Sequence, residues 1–142
     1  MCGICGSLSL RDEVVDPLLI RRMIAAFRHR GPDGSGVHTD LQVGLGHARL
    51  SIIDIDGGSQ PMSIADKSIW ITFNGEIFNY IELRDELLRK GHRFATRSDT
   101  EVILRLYQEE GERCVDRLNG QWAFAIWDAP KQKLFLSRDR IG

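Results

Sequence analysis

Strand-like and helix-like apolar patterns arrive in blocks along this chain rather than in strict alternation, and that order restricts its fold more than any other feature. Ile4 to Leu10 reads as a first strand. Asp16-Pro17 then has the form of an N-cap followed by proline at the first helical position, opening an apolar-periodic helix to about Phe27. A turn-rich stretch, Arg28 to Gly34, leads to short strands at Val43 to His47 and Leu50 to Ile53. The loop Gly57-Gly58-Ser59-Gln60-Pro61 separates these from a strand at Ile69 to Phe73, which Asn74-Gly75 is expected to close. Two helices follow. The first has Asn79 and Glu82 in the spacing of a capping box, with Ile81, Leu83, Leu87 and Leu88 as its stripe and Gly91 as its end. The second starts near Asp99, runs through Val102, Ile103, Leu106 and Tyr107, and stops at Gly111. Trp122 to Trp127 and Lys133 to Ser137 complete the pattern as a strand pair turning at Asp128-Ala129-Pro130. Such blocks favour an α+β class with antiparallel sheets and outer helices over a doubly wound parallel sheet.

A chain of 142 residues with 42% hydrophobic and 27% charged residues can bury one real core, so a single domain is expected. Nineteen Lys+Arg against twenty Asp+Glu leave a net charge of -1, which provides no basic field for nucleic acid or an anionic membrane. No apolar run approaches a membrane span and no signal-peptide pattern precedes the first strand, so the expected location is cytoplasmic. Cys2, Cys5 and Cys114 are an odd number without secretory context, which disfavours a disulfide framework and directs attention to chemistry at sulfur.

Met1-Cys2-Gly3 carries that chemistry. Removal of Met1 places a thiol and a free α-amine on one residue. The amine, with an ordinary pKa of about 7.7 to 8.0, can act as a base near neutrality where a lysine cannot. It can take the proton of a thiol whose reference pKa is about 8.5 as that thiol attacks a carbonyl. Attack on an amide creates an oxyanion, and Asn74-Gly75 offers two donors for it, the Asn74 side-chain amide and the Gly75 backbone N–H. An amino-acid substrate also presents an α-carboxylate and an α-ammonium. Arg49 suits the first, as a bidentate guanidinium, and Asp99 and Glu76 suit the second.

Each residue has a plainer explanation in isolation. Asn-Gly after a strand is commonly a hairpin turn, Asp99 a helix N-cap, and Arg49 and Glu76 solvated surface charges. Cys2-Gly3-Ile4-Cys5 could serve redox or metal chemistry, but no second cysteine pair or histidine spacing completes a zinc site, so no metal is expected. His29, His38, His47 and His92 share no ligand spacing and read as structural or surface residues, and Trp70, Trp122 and Trp127 as core.

Seven stretches together resemble the N-terminal glutaminase domain of the asparagine synthetase family, within the class II glutamine amidotransferases: MCGICG (1–6), RHRGPD (28–33), GHARLSIIDIDGGSQPM (46–62), FNGEIFNYIELRDEL (73–87), SDTEVIL (98–104), LNGQWAFAIWD (118–128) and RDRIG (138–142). The resemblance covers essentially the whole chain. It implies a four-layer αββα N-terminal-nucleophile hydrolase sandwich with mostly antiparallel sheets, in which Cys2 starts a strand at the sheet interface. It implies hydrolysis of L-glutamine through a thioester on Cys2, with Asn74 and Gly75 as oxyanion hole. Arg49, Glu76, Asp99 and the backbone of Leu50, Ser51, Ile52 and Ile53 become glutamine ligands. Released ammonia would pass to an ATP-dependent synthetase domain that amidates aspartate or a related carboxylate. ATP and Mg are expected only there, with no cofactor in residues 1–142. A homodimer is compatible with this reading. The family's domain continues beyond RDRIG, and no Ser-Gly-Gly-x-Asp-Ser pyrophosphatase loop occurs here, so the expectation is an incomplete glutaminase domain truncated at the C-terminus, with the synthetase domain absent. The competing expectation is a catalytically silent module that senses glutamine or supports assembly.

Overall fold

A computed structural model describes residues 2–11, 13–54 and 57–142. Met1, on whose removal the proposed amine depends, lies outside the described residues. Among those described, the order is β1 (Gly3–Leu8), α1 (Pro17–Ala26), β2 (Gly34–Asp40), β3 (Val43–Arg49), β4 (Met62–Ser63), β5 (Ile69–Ile77), α2 (Tyr80–Arg89), α3 (Asp99–Glu110), β6 (Gly120–Asp128) and β7 (Lys133–Arg138). Short 3-10 turns occupy Arg28–Arg30 and Gly111–Arg117. One sheet has the order β1-β3-β2, the other β4-β5-β6-β7, and every strand pairing is antiparallel.

Side-chain alternation sorts these elements into layers. On β3, Gly44, Gly46 and Ala48 turn towards α1, while Val43, Leu45, His47 and Arg49 turn towards the second sheet. A Cβ on Gly46 would lie 2.7 Å from Ile20 Cγ2 and 2.6 Å from Cys5 Sγ, so the two glycines let the buried face of α1, Ile20 and Ile24, settle directly on the strand. Between the sheets, Val43 and Leu45 pack with Ala125 and Trp127. Three hydrogen bonds cross the same interface: Thr72 Oγ1 donates to Gly46 O at 3.1 Å, Trp127 Nε1 to Asp40 Oδ2 at 2.8 Å, and His47 Nε2 lies 3.1 Å from Phe73 O. On the far face of the second sheet, Ile71, Phe73, Phe124 and Ile126 meet Leu83 and Leu87 of α2 and Val102, Ile103 and Leu106 of α3. The result is the expected αββα sandwich. No described helix is long and apolar enough to cross a membrane.

Several local expectations need correction. Asn74-Gly75 does not close its strand, because β5 runs through both residues to Ile77 against β6. Added Cβ atoms would lie 2.1 Å from Gln121 O at Gly75 and 2.2 Å from Glu76 O at Gly120, so paired glycines permit an unusually close ladder where a turn was expected. Leu50 to Ile53 forms no strand. Its two neighbours in the sheet begin at Gly3 and Gly34, leaving nothing for residues past Arg49 to pair with, and the backbone of Leu50 and Ser51 is taken up by side chains instead. Strand β2 escaped notice because Gly34, Ser35 and Gly36 carry no apolar alternation. Asn79 precedes α2 without capping it, and its amide bridges Arg117 O and Asn119 N. The N-cap of α3 is Ser98, whose hydroxyl accepts from Thr100 N at 3.1 Å, which frees the Asp99 carboxylate for other partners. Trp127 is fully buried, whereas Trp122 is only partly covered and Trp70 stacks at 3.8 Å on the ring of His38.

Candidate active site

Where the two sheets part, four segments that are remote in sequence end around one cleft of about 150 Å³: the entry to β1, the exit from β3, the second half of β5 and the first turn of α3. Cys2, Arg49, Leu50, Ile52, Ile53, Asn74, Gly75, Glu76 and Asp99 all line it. Ser51 does not, since its N–H turns to Asp33 Oδ2 at 2.8 Å, and Ser51 is better described as fixing the wall than as part of it.

Cys2 sits one residue ahead of β1 rather than in it. Its Sγ lies 3.3 Å from Leu50 N and 3.4 Å from Leu50 O, and its carbonyl accepts from Arg30 Nε at 3.2 Å. Thiol and main chain are therefore both located by groups outside β1. Cys5 faces the other way, into the packing of α1 against the sheet, and burial raises its pKa. Cys2 Sγ thus turns to Leu50, while Cys5 Sγ turns to the α1 side of the sheet beside Gly46. Cys114 is fully buried and desolvation pushes its thiol up to about 12.

Alternation along β5 turns Thr72, Asn74 and Glu76 towards the first sheet and its cleft, and Ile71 and Phe73 towards the helices. Gly75 falls opposite Trp122, where only the absence of a Cβ allows the backbone so near β6. The Phe73 backbone is itself gripped by side chains: its N–H donates to Gln60 Oε1 at 2.6 Å, and Gln60 Nε2 donates onward to Thr100 Oγ1 at 3.3 Å.

At the other end, the Arg49 guanidinium donates through Nη2 to Asp54 O at 2.7 Å and passes so near Gly58 that a Cβ there would lie 2.7 Å from it. The Asp54 carboxylate takes Gly57 N at 3.0 Å and Arg97 N at 2.7 Å, and its pKa is lowered, first by the Arg97 N–H. One short acidic side chain thereby ties the loop after β3 to the approach to α3. Asp99, 4% exposed, accepts from Ile77 N at 3.1 Å. Burial raises its pKa, and the nearby Glu76 charge adds to the effect. A buried carboxylate held partly against its preference for ionisation, in a cleft that also contains a guanidinium, is suited to a zwitterionic ligand whose ammonium would relieve it.

The sequence reading missed Gln60, Gly58, Phe73, Ser98, Thr100 and Gln121, which also line the cleft, and Phe78, whose exposed side chain stands at it. Only Gln60 had a usable signal, as a polar residue in the glycine-rich loop of the GHARLSIIDIDGGSQPM block. Gln121 is placed by its pairing with Glu76 across β5 and β6, which no local pattern announces.

Residues 1–142 match the family model described as glutamine amidotransferase domain. The chain is 46% identical over 145 residues to asparagine synthetase [glutamine-hydrolyzing] 1 of Bacillus subtilis (strain 168), covering 100% of this chain and 23% of that protein. It is 43% identical over 143 residues to asparagine synthetase [glutamine-hydrolyzing] 2 of Oryza sativa subsp. japonica, covering 100% and 24%. The chain thus spans about a quarter of the length of these relatives. Among solved structures, the glutamine phosphoribosylpyrophosphate amidotransferase from B. subtilis complexed with ADP and GMP superposes with a TM-score of 0.74 at 20% identity, over 95% of this chain and 37% of that one. A structure of the allosteric regulatory enzyme of purine biosynthesis gives 0.75 at 21% identity, over 97% and 38%. At such identities the likeness is one of fold. From its sequence and its αββα architecture, the chain belongs to the glutamine amidotransferase domain family, as a class II glutaminase domain of the N-terminal-nucleophile hydrolase type.

Proposed function

We propose that this chain hydrolyses L-glutamine to glutamate and ammonia through a γ-glutamyl thioester on Cys2. The observation that carries the proposal is the convergence on one small cleft of a thiol, an amide-glycine pair, a guanidinium and a buried carboxylate drawn from four separate segments. The α-amine of a processed Cys2 takes the thiol proton as Sγ attacks the side-chain amide carbon. Asn74 Nδ2 and the Gly75 N–H receive the oxyanion. Collapse of the tetrahedral adduct expels ammonia carrying the proton returned by the amine. Water then adds to the thioester and restores the thiol. Arg49 holds the α-carboxylate, Asp99 and Glu76 the α-ammonium, and the backbone of Leu50, Ile52 and Ile53 borders the ligand.

The similarity to glutamine-hydrolysing asparagine synthetases supports a further assignment: the ammonia is delivered to an ATP- and Mg-dependent synthetase portion that amidates aspartate or a related carboxylate. The odd number of cysteines supports a cytoplasmic setting. Glutaminase activity of the methionine-processed protein, compared with Cys2→Ala, tests the central step. Loss of turnover in the variant is expected, and equal activity in the two would refute the nucleophile.

A further inference from the structure

Asn74 and Gly75 can receive an oxyanion only if the peptide leading into them is held still; β6 holds it along one edge, and the Phe73 groups facing away from β6 are held by side chains. Phe73 contributes its N–H to Gln60 Oε1 and its C=O to a side chain from the opposite sheet, His47. His47 is 0% exposed, on the face of β3 that looks across the sandwich, two residues before Arg49. A carbonyl oxygen can only accept, so the 3.1 Å contact assigns the hydrogen to Nε2. Nδ1 is then a bare lone pair, buried without a partner among the described residues. This costs free energy that packing alone would not select: an apolar residue would fill the space between the sheets with no orphaned atom. Burial also lowers the pKa of His47 to about 4, with the Arg49 charge as a smaller contribution, so the ring is a neutral single donor across the working pH range.

We infer that His47 is a positioning residue for glutamine hydrolysis: its Nε2–H fixes the plane of the Phe73–Asn74 peptide and, through it, the two oxyanion donors. The inference rests on the reading of Asn74 and Gly75 as that hole. His47 touches neither substrate nor sulfur. It acts on the step that develops negative charge on oxygen, and not on glutamine binding or on the nucleophilicity of Cys2. That separation makes it testable.

Glutamine and methionine are near-isosteric replacements, and glutamine Nε2 lies as many bonds from its Cα as histidine Nε2, so only His47→Gln retains the donor. In the methionine-processed natural polypeptide that contains this chain, kcat and KM for glutamine are measured beside the rate at which iodoacetamide alkylates Cys2, a displacement at carbon that forms no oxyanion. The expected result is that His47→Met lowers kcat by about 10- to 100-fold, less than the roughly 10²- to 10³-fold cost of removing an oxyanion donor outright, because the donors are displaced and not lost. KM and alkylation rate should stay within a few-fold, and His47→Gln should recover most of kcat. Thr72→Val, which removes the neighbouring Thr72–Gly46 bond between the sheets without touching Phe73, should keep kcat. Equal kcat in His47→Met and the parent overturns the inference. So does a parallel loss of alkylation, failure of His47→Met to fold, or absence of recovery in His47→Gln, each of which makes the residue a packing element. If the parent itself shows no Cys2-dependent glutaminase activity, it is the proposed function that falls.

Discussion

Replacing Gly75 by alanine separates the sterics of the second sheet from the chemistry of the cleft in a single protein. The added Cβ would lie 2.1 Å from Gln121 O and 2.8 Å from Trp122 Cα, and Cβ atoms essentially never approach another heavy atom within 3.0 Å. Strands β5 and β6 must therefore part by about 0.9 Å at this register, and because the obstacles are backbone atoms no rotamer change can absorb it. Overpacking costs about 1–3 kcal/mol, and the rigid obstacle places this site near the top of the range. Stiffening of the unfolded chain would return about 0.4–1 kcal/mol, but the φ of 157° at Gly75 strains alanine and offsets part of that. A net loss of about 2 kcal/mol remains, which for a chain of this size lowers the melting temperature by about 8 °C. Gly34→Ala, where an added Cβ meets nothing within 4 Å, is the control and should stay within about 0.5 kcal/mol. Differential scanning calorimetry on the two variants and the parent reads the stability term. Glutaminase kinetics should in addition show kcat down about 10²- to 10³-fold in Gly75→Ala as the N–H leaves its place. A Gly75→Ala protein that melts with the parent would refute the close-ladder geometry. One that is destabilised yet turns over normally would remove Gly75 from the oxyanion hole.

Three other outcomes follow from particular contacts. The ionised form of Asp99 is penalised by burial, so its own contribution to stability improves as pH falls through its raised pKa, whereas affinity for an ammonium-bearing ligand declines over that same interval. The KM for glutamine should thus begin to rise at a higher pH than the ordinary aspartate value of about 3.9 would set, and Asp99→Asn should raise KM and abolish that rise. The Glu101 carboxylate, 3% exposed, accepts from Ala95 N, Thr96 N and Oγ1, and Arg105 Nη2. Glu101→Gln turns an amide towards this ring of donors and should cost about 2–3 kcal/mol by denaturant titration, with a variant as stable as the parent showing that the ring is not needed. Because Cys114 is buried with its thiol at about 12 and Cys5 is desolvated, brief alkylation of the native protein at neutral pH should label Cys2 alone by peptide mass mapping, and early labelling of Cys114 would contradict the packing under α3.

The helices were legible in the sequence because their signals are local. Asp16-Pro17 opens α1 as expected, with Asp16 Oδ1 accepting from Leu18 N at 2.8 Å, and Gly111 ends α3 with φ of 63°. Errors fall where partners distant in sequence decide the outcome. Asn74-Gly75 has the composition of a turn, and only Gly120, forty-five residues later, allows it to remain a strand. Leu50 to Ile53 has the composition of a strand, and only the late starts of β1 and β2 leave it without a partner. Cleft residues followed the same rule. Cys2, Arg49, Asn74, Gly75, Glu76 and Asp99 could be named from their chemistry because each lies in a compact motif. Gln121 was invisible because its place comes from pairing with Glu76, and Gln60, although it lies in a glycine-rich motif, takes its role from contacts to Phe73 and Thr100.

The misread Asn-Gly pair explains why the cleft lies where it does. A turn at residues 74–75 would expose both donors to water and let them reorient, which is what an oxyanion site must avoid. Kept within β5, the Asn74 side chain is committed by strand alternation to the face shared with β1, and Gly75 is locked by its approach to Gln121 O. Two further bonds reinforce this from outside the β5–β6 ladder: Gln60 reaches Phe73 from the loop before β4, and His47 reaches it from the first sheet. Rigidity at residues 73–75 is therefore supplied by both sheets at once, while the opposite wall, Leu50 to Ile53, has no ladder and is held by the Cys2 and Asp33 side chains. A rigid donor side facing a wall built from loop lets the oxyanion position stay fixed while the wall yields to an entering ligand. Asp33→Ala tests that division directly. It frees the Ser51 N–H and should raise KM for glutamine several-fold with kcat little changed, and a fall in kcat at unchanged KM would show that the loop belongs to the rigid side.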